Sequence, residues 1–456
     1  MTSHVKGQDQ MRQRTRWGTR LVPALLAVAG LLAAAACGGT TDDEKPVAAT
    51  GAATPNADKP VTISFLSYNY GTPGIGGKGT QSLLDAFHKA HPNITVKPQG
   101  VAVADVLTRL RTDTAAGSPP DVAQIGWSKM AEAVRTLPIV PVQKAAPADE
   151  WSTHVAGLSP SIMKAVTQDG VVAAMPYTMS IPVMYINADL FKAAGLDPAN
   201  PPKTLDDVRA AGLAIKKATG KEGAYVAVVD SGKSDYLTQS VIASAGGSLV
   251  GSDGSVTLDQ KPAVDALTAV AGLTSSGAMP KVDTTAAVAS FTKGEMGMLV
   301  GSTALLVSAQ QAAEGHFTLT TAPFPQVKAG TPARPTYSGA GLAILAKDPD
   351  RQRAAWEFIK FITSDAGFEI ITSQIGYLPL RQTIETKLAD TPTVKLLKPA
   401  LDQLATVTPY TSFPSDHANE AVVTLQDDAV EPIVLRGADP AGTLSSVADK
   451  IRKLVG

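Results

Sequence analysis

Aromatic side chains stand at the ends of two predicted strands, where they could bind a small molecule without covalent chemistry. Tyr68 ends the apolar run 61–68, and Tyr70 follows it at the edge of the glycine-rich stretch 71–79. Trp127 comes two residues after the run 121–125. A Tyr or Trp ring buries a large apolar face and keeps one polar group for a hydrogen bond. Since only 5% of the residues are aromatic, we interpret these three rings as candidates for stacking on a ligand.

Residue patterns for covalent or metal chemistry fail on spacing. The stretch 71–80 has Gly after Lys78, where a phosphate-binding loop needs Ser or Thr. Residues 415–417 (Ser-Asp-His) are consecutive, so their side chains point to different faces and form no triad. The six His are scattered and there is one Cys, which leaves no zinc pattern. The adjacent Asp pairs 206–207 and 427–428 indicate solvated helix faces. We expect no enzyme activity, no metal and no cofactor.

Strand-like and helix-like runs alternate along the chain, which predicts βαβ units around largely parallel sheets in an α/β fold. The last 80 or so residues read mostly as helices. The predicted strands are 61–68, 93–97, 121–125, 171–177, 183–186, 224–229, 296–300, 318–321 and 341–346; the predicted helices before the last segment are 82–90, 103–116, 205–219, 263–276 and 352–362.

Length and composition indicate a globular protein of two or three domains. The chain has 456 residues, of which 44% are hydrophobic and 18% charged. Its formal net charge is -1, and the first 36 residues hold an excess of basic side chains, so the remainder is mildly acidic. An acidic body has no electrostatic footprint for nucleic acid, and we expect no nucleic-acid partner.

The N-terminus predicts export. Basic residues at 12–20 precede the apolar run 21–36, which has the form of a secretory signal and is short for a membrane-spanning helix. Cys37, the only cysteine, follows small residues that resemble a bacterial lipobox, although Ala34 replaces its usual Leu. We predict a signal peptide at 1–36, lipidation of Cys37 and a flexible tether at 37–60. The alternative is an ordinary secretory signal followed by a stray Cys.

Six strings, in order over most of residues 61–381, resemble the extracellular solute-binding proteins of family 1, the group that includes maltose-binding and glycerol-3-phosphate-binding proteins. One string alone would be weak, and six in order are specific. They are 115–122 (AAGSPPDV), 174–198 (AMPYTMSIPVMYINADLFKAAGLDP), 201–208 (PPKTLDDV), 291–298 (FTKGEMGM), 356–363 (WEFIKFIT) and 376–381 (GYLPLR).

The resemblance implies a two-lobed, hinged fold of the type II periplasmic-binding-protein kind, with the ligand in the cleft between two α/β lobes. Carried onto this sequence, lobe one comprises 61–176 plus 323–363, and lobe two comprises 177–322 plus 364–456. The chain would cross between the lobes near 176–180, near 318–322 and near Thr363.

The resemblance also implies ligand contacts at strand ends and crossovers. Gly339, within 337–339 (Tyr-Ser-Gly), suits a close approach of backbone to ligand because glycine has no side chain in the way. The predicted ligand-binding residues are Tyr68, Tyr70, Trp127, Tyr177, Ser180, Asp235, Tyr236, Ser338, Gly339, Tyr377 and Asn419.

The late segment 413–428 indicates the kind of ligand. Glycerol-3-phosphate binders carry a phosphate-clamping Arg there, whereas this segment has no Arg or Lys and offers Asp416, His417, Asn419 and Glu420. Carboxylates and amides suit hydroxyl groups, and a phosphate needs cationic donors. We therefore favour a neutral sugar, although these side chains would also suit a solvated helix end.

The implied role is a monomeric lipoprotein on the outer face of the cell membrane. It would capture a small carbohydrate and deliver it to the permease subunits of an ABC transporter, and through them to a cytoplasmic ATPase. Three alternatives remain: a binding protein for a glycerophosphodiester or other polyol derivative, an exported glycosidase, and a sensor subunit that presents its ligand to a receptor kinase.

Overall fold

The computed structural model describes residues 59–71, 76–158, 160–168 and 170–456. Within these ranges no helix is both long and apolar enough to cross a membrane. The predicted signal peptide, Cys37 and most of the predicted tether lie outside the described residues.

The strands of the described residues are numbered in chain order. They are β1 (Val61–Ser67), β2 (Ile94–Gly100), β3 (Val122–Gly126), β4 (Thr167–Gln168), β5 (Val171–Val172), β6 (Met175–Ser180), β7 (Pro182–Asn187), β8 (Glu222–Val226), β9 (Met296–Ser302), β10 (Leu319–Pro323), β11 (Thr336–Ile344) and β12 (Thr408–Pro409).

The helices are numbered in the same way. They are α1 (Tyr68–Gly71), α2 (Gly77–Ala90), α3 (Val106–Ala115), α4 (Trp127–Thr136), α5 (Val142–Ala145), α6 (Ala148–Val155), α7 (Pro160–Lys164), α8 (Ala188–Ala193), α9 (Leu205–Thr219), α10 (Tyr236–Ser244), α11 (Lys261–Ser275), α12 (Thr284–Thr292), α13 (Leu306–Ala313), α14 (Pro349–Ile362), α15 (Asp365–Ile370), α16 (Gln382–Leu388), α17 (Pro392–Asp402), α18 (Ala418–Leu425), α19 (Glu431–Arg436) and α20 (Pro440–Val455); two π-helical turns occupy Ile371–Ile375 and Gln426–Val430.

The first sheet has the order β12-β11-β3-β1-β2, with β6 on the other side of β11. β1 runs parallel to β2 and β3, while β11 runs antiparallel to β3 and β6. Ile63 and Phe65 of β1 are buried, and the Phe65 ring meets Phe358 of α14 edge-on with centroids 5.1 Å apart. Parallel strands covered on their faces by helices are the arrangement that the alternating pattern predicts.

The second sheet has the order β10-β7-β9-β8. β7 pairs antiparallel with β10 and β9, and β8 runs parallel to β9. Helix α9 packs on β8. Its start is fixed by a capping box in which Thr204 and Asp207 satisfy each other's backbone N–H groups, and Gly220 ends it in a left-handed conformation.

Two lobes form around these sheets. We call the first sheet with α2, α4 and α14 lobe one, because each of these helices packs on its strands and α14 also packs on α2. We call the second sheet with α9, α10, α11, α18 and α20 lobe two, since α18 and α20 pack with each other, α20 on α11, and α11 on α9 and α10.

The chain crosses between the sheets at two places that the strands define. Only Ile181 separates β6 in the first sheet from β7 in the second. The return lies between Pro323, which ends β10, and Thr336, which begins β11.

The sheets differ from the predicted division at two segments. Residues 177–180 and 408–409 were predicted for lobe two, but β6 and β12 both pair with β11 of the first sheet. The reason is the length of β11, which starts five residues before the predicted strand 341–346 and offers backbone partners to both segments.

Candidate functional site

Because β6 pairs with β11, the first crossover lies beside residues 337–339 (Tyr-Ser-Gly), which were predicted to contact the ligand. Ser338 faces Ser180 and Gly339 faces Met179 in the ladder, and the Ser180 hydroxyl donates to the Ser338 carbonyl at 3.4 Å. A Cβ at position 339 would lie 1.9 Å from the carbonyl oxygen of Thr178. Only glycine therefore permits this approach of the two strands.

A buried polar cluster lies where β1, β3 and β6 come together. Gln124 Oε1 accepts hydrogen bonds from the Ser67 hydroxyl at 2.7 Å and from the backbone N–H of Asn69 at 3.3 Å. The Tyr377 hydroxyl donates to Asn69 Oδ1 at 3.1 Å. Tyr177 is completely buried beside them. Five segments of the chain thus deliver side-chain amides and hydroxyls to one place.

Several buried polar atoms of this cluster form no hydrogen bond of good geometry among the described residues, although polar side chains face them. They are Asn69 Nδ2, Gln124 Nε2, the Tyr177 hydroxyl and the Thr178 hydroxyl. A buried donor without a partner costs free energy, so such groups normally bond to water or to a ligand. The cluster can therefore donate hydrogen bonds to a small polar molecule.

Burial keeps the tyrosines of the cluster protonated. Burial raises the pKa of Tyr68, Tyr177 and Tyr377 above the ordinary value for a phenol. The Tyr68 ring is 8% exposed, and Gln124 and Thr178 face its hydroxyl. At physiological pH all three tyrosines are neutral hydrogen-bond donors.

Lobe two contributes Asp235 and Tyr236 at the start of α10. Asp235 is fully buried, and its carboxylate accepts hydrogen bonds from the Tyr410 hydroxyl at 2.6 Å and from Gln239 Nε2 at 2.9 Å. Burial raises the pKa of Asp235. The Tyr236 hydroxyl is buried without a partner among the described residues, although Ser180 faces it. The predicted pair is thus brought against the crossover.

Trp127 begins α4 and lines a cavity of about 450 Å³ with Tyr337 and Tyr410. The rings of Trp127 and Tyr337 meet at right angles with centroids 5.7 Å apart. Trp127 Nε1 is buried and has no partner within the described chain. Two aromatic walls with one free indole N–H suit a ligand that has both apolar and hydrogen-bonding faces.

A second cavity of about 730 Å³ lies on the other side of Tyr337 and Pro409, which line both. Met179 of β6 and Leu380 form part of its wall, so it borders the crossover. Its polar lining comes from Gln382 and Glu385.

Two of the predicted ligand-binding residues do not join this cluster in the described structure. Tyr70 is 38% exposed, and its hydroxyl reaches only Gln81 at 3.4 Å, so it lies on the surface. Asn419 bonds to residues of lobe one across the seam between the lobes. Cys37 lies outside the described residues.

Lys129 is a residue of the site that the sequence reasoning missed. It lies in the first turn of α4, is 5% exposed, and donates a hydrogen bond to Asn419 Oδ1. Burial lowers its pKa, while the carboxylates of Asp235, Glu132 and Asp230 act in the opposite direction. Its signal in the sequence is its place two residues after Trp127 at the carboxyl end of a strand, where ligand contacts concentrate.

Tyr410, Asn69 and Gln124 were also missed. Asn69 stands between the two predicted tyrosines, and Gln124 lies inside the apolar run 121–125, where a polar side chain is itself a signal. Tyr410 has no local signal, since only the folded chain brings it to Asp235. Among the described residues, no group of three or more His, Cys, Asp or Glu could hold a metal ion.

Two lobes, crossing strands and a polar cluster beside those strands define a two-lobed solute-binding protein. Residues 71–367 match the bacterial extracellular solute-binding protein family, and the chain belongs to that family. The resemblance stated from the six strings is thereby confirmed.

Curated relatives match part of the chain. The sn-glycerol-3-phosphate-binding periplasmic protein UgpB of Pectobacterium atrosepticum is 30% identical over 159 residues, which are 32% of this chain and 35% of that protein. UgpB of Salmonella typhimurium is 27% identical over 175 residues, which are 36% of this chain and 40% of that protein. The match thus spans well under half the length of these relatives.

Solved structures match the whole fold. The GacH receptor of Streptomyces glaucescens, solved unliganded and with acarbose, aligns with a TM-score of 0.73 at 21% identity and covers 86% of this chain and 98% of that one. Maltose-bound MalE3 of T. maritima aligns at 0.74 and 21% identity, covering 86% of this chain and 100% of that one. UgpB of Mycobacterium tuberculosis with glycerophosphocholine aligns at 0.72 and 22% identity, covering 86% and 98%. The predicted two-lobed α/β fold is confirmed.

Proposed function

We propose that the chain is the solute-binding subunit of an ABC importer and captures a neutral carbohydrate between its lobes. The observation that carries this proposal is the convergence of unpartnered polar groups from both lobes on the crossover. Asn69, Tyr177 and Thr178 approach from lobe one, and Tyr236 approaches from lobe two. Sugar hydroxyls both donate and accept hydrogen bonds, so they match such a set of amides and hydroxyls.

The charges of the site favour a neutral ligand over a phosphate. Asp235 and Asp230 place two carboxylates near the buried ammonium of Lys129. Burial already raises the pKa of both carboxyl groups, which means that a further negative charge nearby would be unfavourable. A neutral polyol adds hydrogen bonds without adding charge. The aromatic corner of Trp127 and Tyr337 supplies apolar area for the faces of a sugar ring.

The second candidate ligand is a glycerophosphodiester. Lys129 is the observation in its favour, because a buried ammonium can donate to a phosphate oxygen. The curated relatives are named for sn-glycerol-3-phosphate and one structural neighbour was solved with glycerophosphocholine.

The cellular location, the oligomeric state and the partners of the protein are also part of the proposal. The protein would be held by the lipid on Cys37 at the outer face of the cell membrane and would act as a monomer. Closed lobes would present the ligand to permease subunits, which couple to a cytoplasmic ATPase. No catalytic step is needed for this role. The predicted lobe boundaries stay part of the proposal, with residues 177–180 and 408–409 reassigned to lobe one by their pairing with β11.

Isothermal titration calorimetry on the purified full-length chain tests the ligand class. The panel comprises neutral mono- and oligosaccharides, glycerophosphocholine and sn-glycerol-3-phosphate. We expect saturable binding of at least one neutral sugar and weaker or no binding of the phosphates. Binding of the phosphates alone would replace the first candidate by the second, and a panel without any binder would contradict both.

A further inference from the structure

One face of α4 contacts the start of α18 across the seam between the lobes. Lys129, Glu132 and Arg135 are spaced by three residues, so they lie along one side of the helix. Lys129 donates to Asn419 Oδ1, and Glu132 Oε2 accepts from the backbone N–H of Asn419 at 2.8 Å. Arg135 bonds to the Asp416 carboxylate. We call these three residues with Asp416 and Asn419 the seam latch.

The two sides of the seam latch belong to different lobes. Helix α4 follows β3 and packs on β3 and β11 of the first sheet. Helix α18 packs on α20 and on the π-helical turn Gln426–Val430 of lobe two. Gln426 in turn donates from Nε2 to the Thr238 hydroxyl of α10 and accepts from the Asp230 amide. Rotation of one lobe against the other must therefore break the seam latch.

The charges of the seam latch differ in their exposure. Glu132 is 2% exposed and also pairs with Arg111, so this carboxylate is shielded from salt. The Arg135 and Asp416 side chains are 40% and 59% exposed, so their pair is open to screening. The shielded Glu132 carboxylate therefore fixes the position of α4 relative to α18, and the exposed Arg135–Asp416 pair responds to ionic strength.

We propose that the seam latch sets the equilibrium between closed and open lobes and so contributes to affinity through Glu132, Arg135 and Asp416, which line neither cavity. This inference rests on the proposed function, because a closing equilibrium matters where a solute is enclosed. The contacts join the two lobes in the described arrangement, so they favour this arrangement before any ligand is present. Affinity for an uncharged sugar then falls as salt rises, although the sugar itself carries no charge.

Lobe distance tests this inference independently of the ligand. Two exposed lysines, Lys89 on α2 and Lys217 on α9, are replaced by Cys and spin-labelled in the full-length chain carrying Cys37→Ser. Double electron–electron resonance then reports the distance between lobe one and lobe two. The test variant is Glu132→Gln with Arg135→Gln, which removes one charge of each sign from the seam latch.

The matched control removes one charge of each sign elsewhere in lobe one. Arg109 and Asp113 form an ion pair within α3, and Arg109→Gln with Asp113→Asn abolishes it without altering net charge. We expect the seam variant to shift the ligand-free distances towards open lobes. Because it weakens the Glu132–Asn419 bond and removes the Arg135–Asp416 pair, we expect at least about 10-fold weaker binding of the neutral sugar. The control should resemble the parent protein.

The distances between the same spin labels are also measured as the salt concentration is changed. Raising NaCl from about 50 mM to about 500 mM shortens the Debye length several-fold and should widen the distances in the parent but not in the seam variant. Equal distances in the seam variant and the control would overturn the inference. If the seam variant proves unfolded by circular dichroism, Arg135→Gln alone decides, since its side chain is exposed.

The two proposals can fail separately. If no sugar binds while the seam variant opens the lobes, the ligand class is wrong and the seam latch stands. If a sugar binds and neither distance nor affinity responds to the seam variant, the ligand class stands and the seam latch is wrong.

Discussion

The hydroxyl of Tyr410 donates a 2.6 Å hydrogen bond to the carboxylate of Asp235, a side chain with no exposed surface. The two residues are 175 positions apart, and their bond joins α10 to the segment after β12. The remaining carboxylate oxygen is held by Gln239. A buried carboxylate with both oxygens bonded is oriented rather than mobile, which fixes the start of α10 beside the crossover.

Tyr410→Phe tests the strength of this bond. Removing the hydroxyl leaves a buried charged acceptor with one donor fewer, so we expect the free energy of unfolding to fall by about 1–3 kcal/mol. Urea unfolding followed by circular dichroism measures it. Tyr70→Phe is the control, because the exposed Tyr70 hydroxyl makes only a 3.4 Å contact with Gln81. Equal stability of the two variants would contradict the assigned role of Tyr410.

The fold was largely predictable because its determinants are local. Helix 205–219 was placed correctly, since its hydrophobic period continues from the capping box at Thr204 to the glycine at 220. The last 80 or so residues were predicted to be mostly helical, without bounds, and the structure has helices α16 to α20 there. The start of β11 was missed because Tyr-Ser-Gly carries loop chemistry, while only its neighbours β6 and β12 make it a strand.

The candidate site was less predictable because it depends on distant contacts. Tyr68, Tyr177 and Tyr377 come together in one cluster. Only the folded chain shows that the side chains of Asn69 and Gln124 lie beside these tyrosines. Asn419 was selected for its amide, and the fold turns that amide towards Lys129 of the other lobe. Pairings across a seam leave no periodic signal in a sequence.

Trp127→Ala should weaken sugar binding by about 1–3 kcal/mol, as the loss of a buried stacking ring implies. Calorimetry with the tightest neutral sugar of the panel measures the change in affinity. Trp151→Ala is the matched control, because Trp151 packs on Trp356 with ring centroids 6.0 Å apart and does not line the cavity of Trp127. Unchanged affinity in Trp127→Ala would remove this ring from the site.

Cys37→Ser tests the predicted lipid anchor. Without the thiol no lipid can be attached, and a single signal segment that is cleaved leaves nothing in the bilayer, so we expect the protein in the medium. Cell fractionation and immunoblotting measure the distribution against the unmodified chain. Retention of the variant at the membrane would contradict lipidation as the means of anchoring.

The pH dependence of stability should depend on His154. Burial, with help from Arg381 and Lys360, lowers the pKa of His154 from 6.5 to about 4. Between these values the folded state binds fewer protons than the unfolded state, so the free energy of unfolding rises with pH across this window. The rise amounts to at most about 3 kcal/mol.

The measurement is urea unfolding at a series of pH values, with His154→Gln as the comparison. The glutamine can still bond to the Thr363 hydroxyl, which lies 2.8 Å from His154 Nε2, but it cannot take up a proton. We expect a flatter profile on the acid side in the variant. Parallel profiles of the two proteins would show that the protonation of His154 is not coupled to folding.

Gly339→Ala tests whether the crossover depends on backbone contact. The added methyl group would lie 1.9 Å from the carbonyl oxygen of Thr178, and backbone cannot move aside as a side chain can. The β6–β11 ladder must separate, so we expect a loss of at least about 3 kcal/mol in the free energy of unfolding.

Gly272→Ala is the matched control, because nothing lies within 4 Å of its Cβ position in α11. There the same methyl group should stabilise the helix by about 0.5–1 kcal/mol. Both variants add one carbon to a glycine, so opposite signs in thermal unfolding would assign the difference to the strand contact. If the Gly339→Ala protein is as stable as the parent, β6 and β11 can move apart freely. That result would contradict the assignment of the candidate site to their pairing.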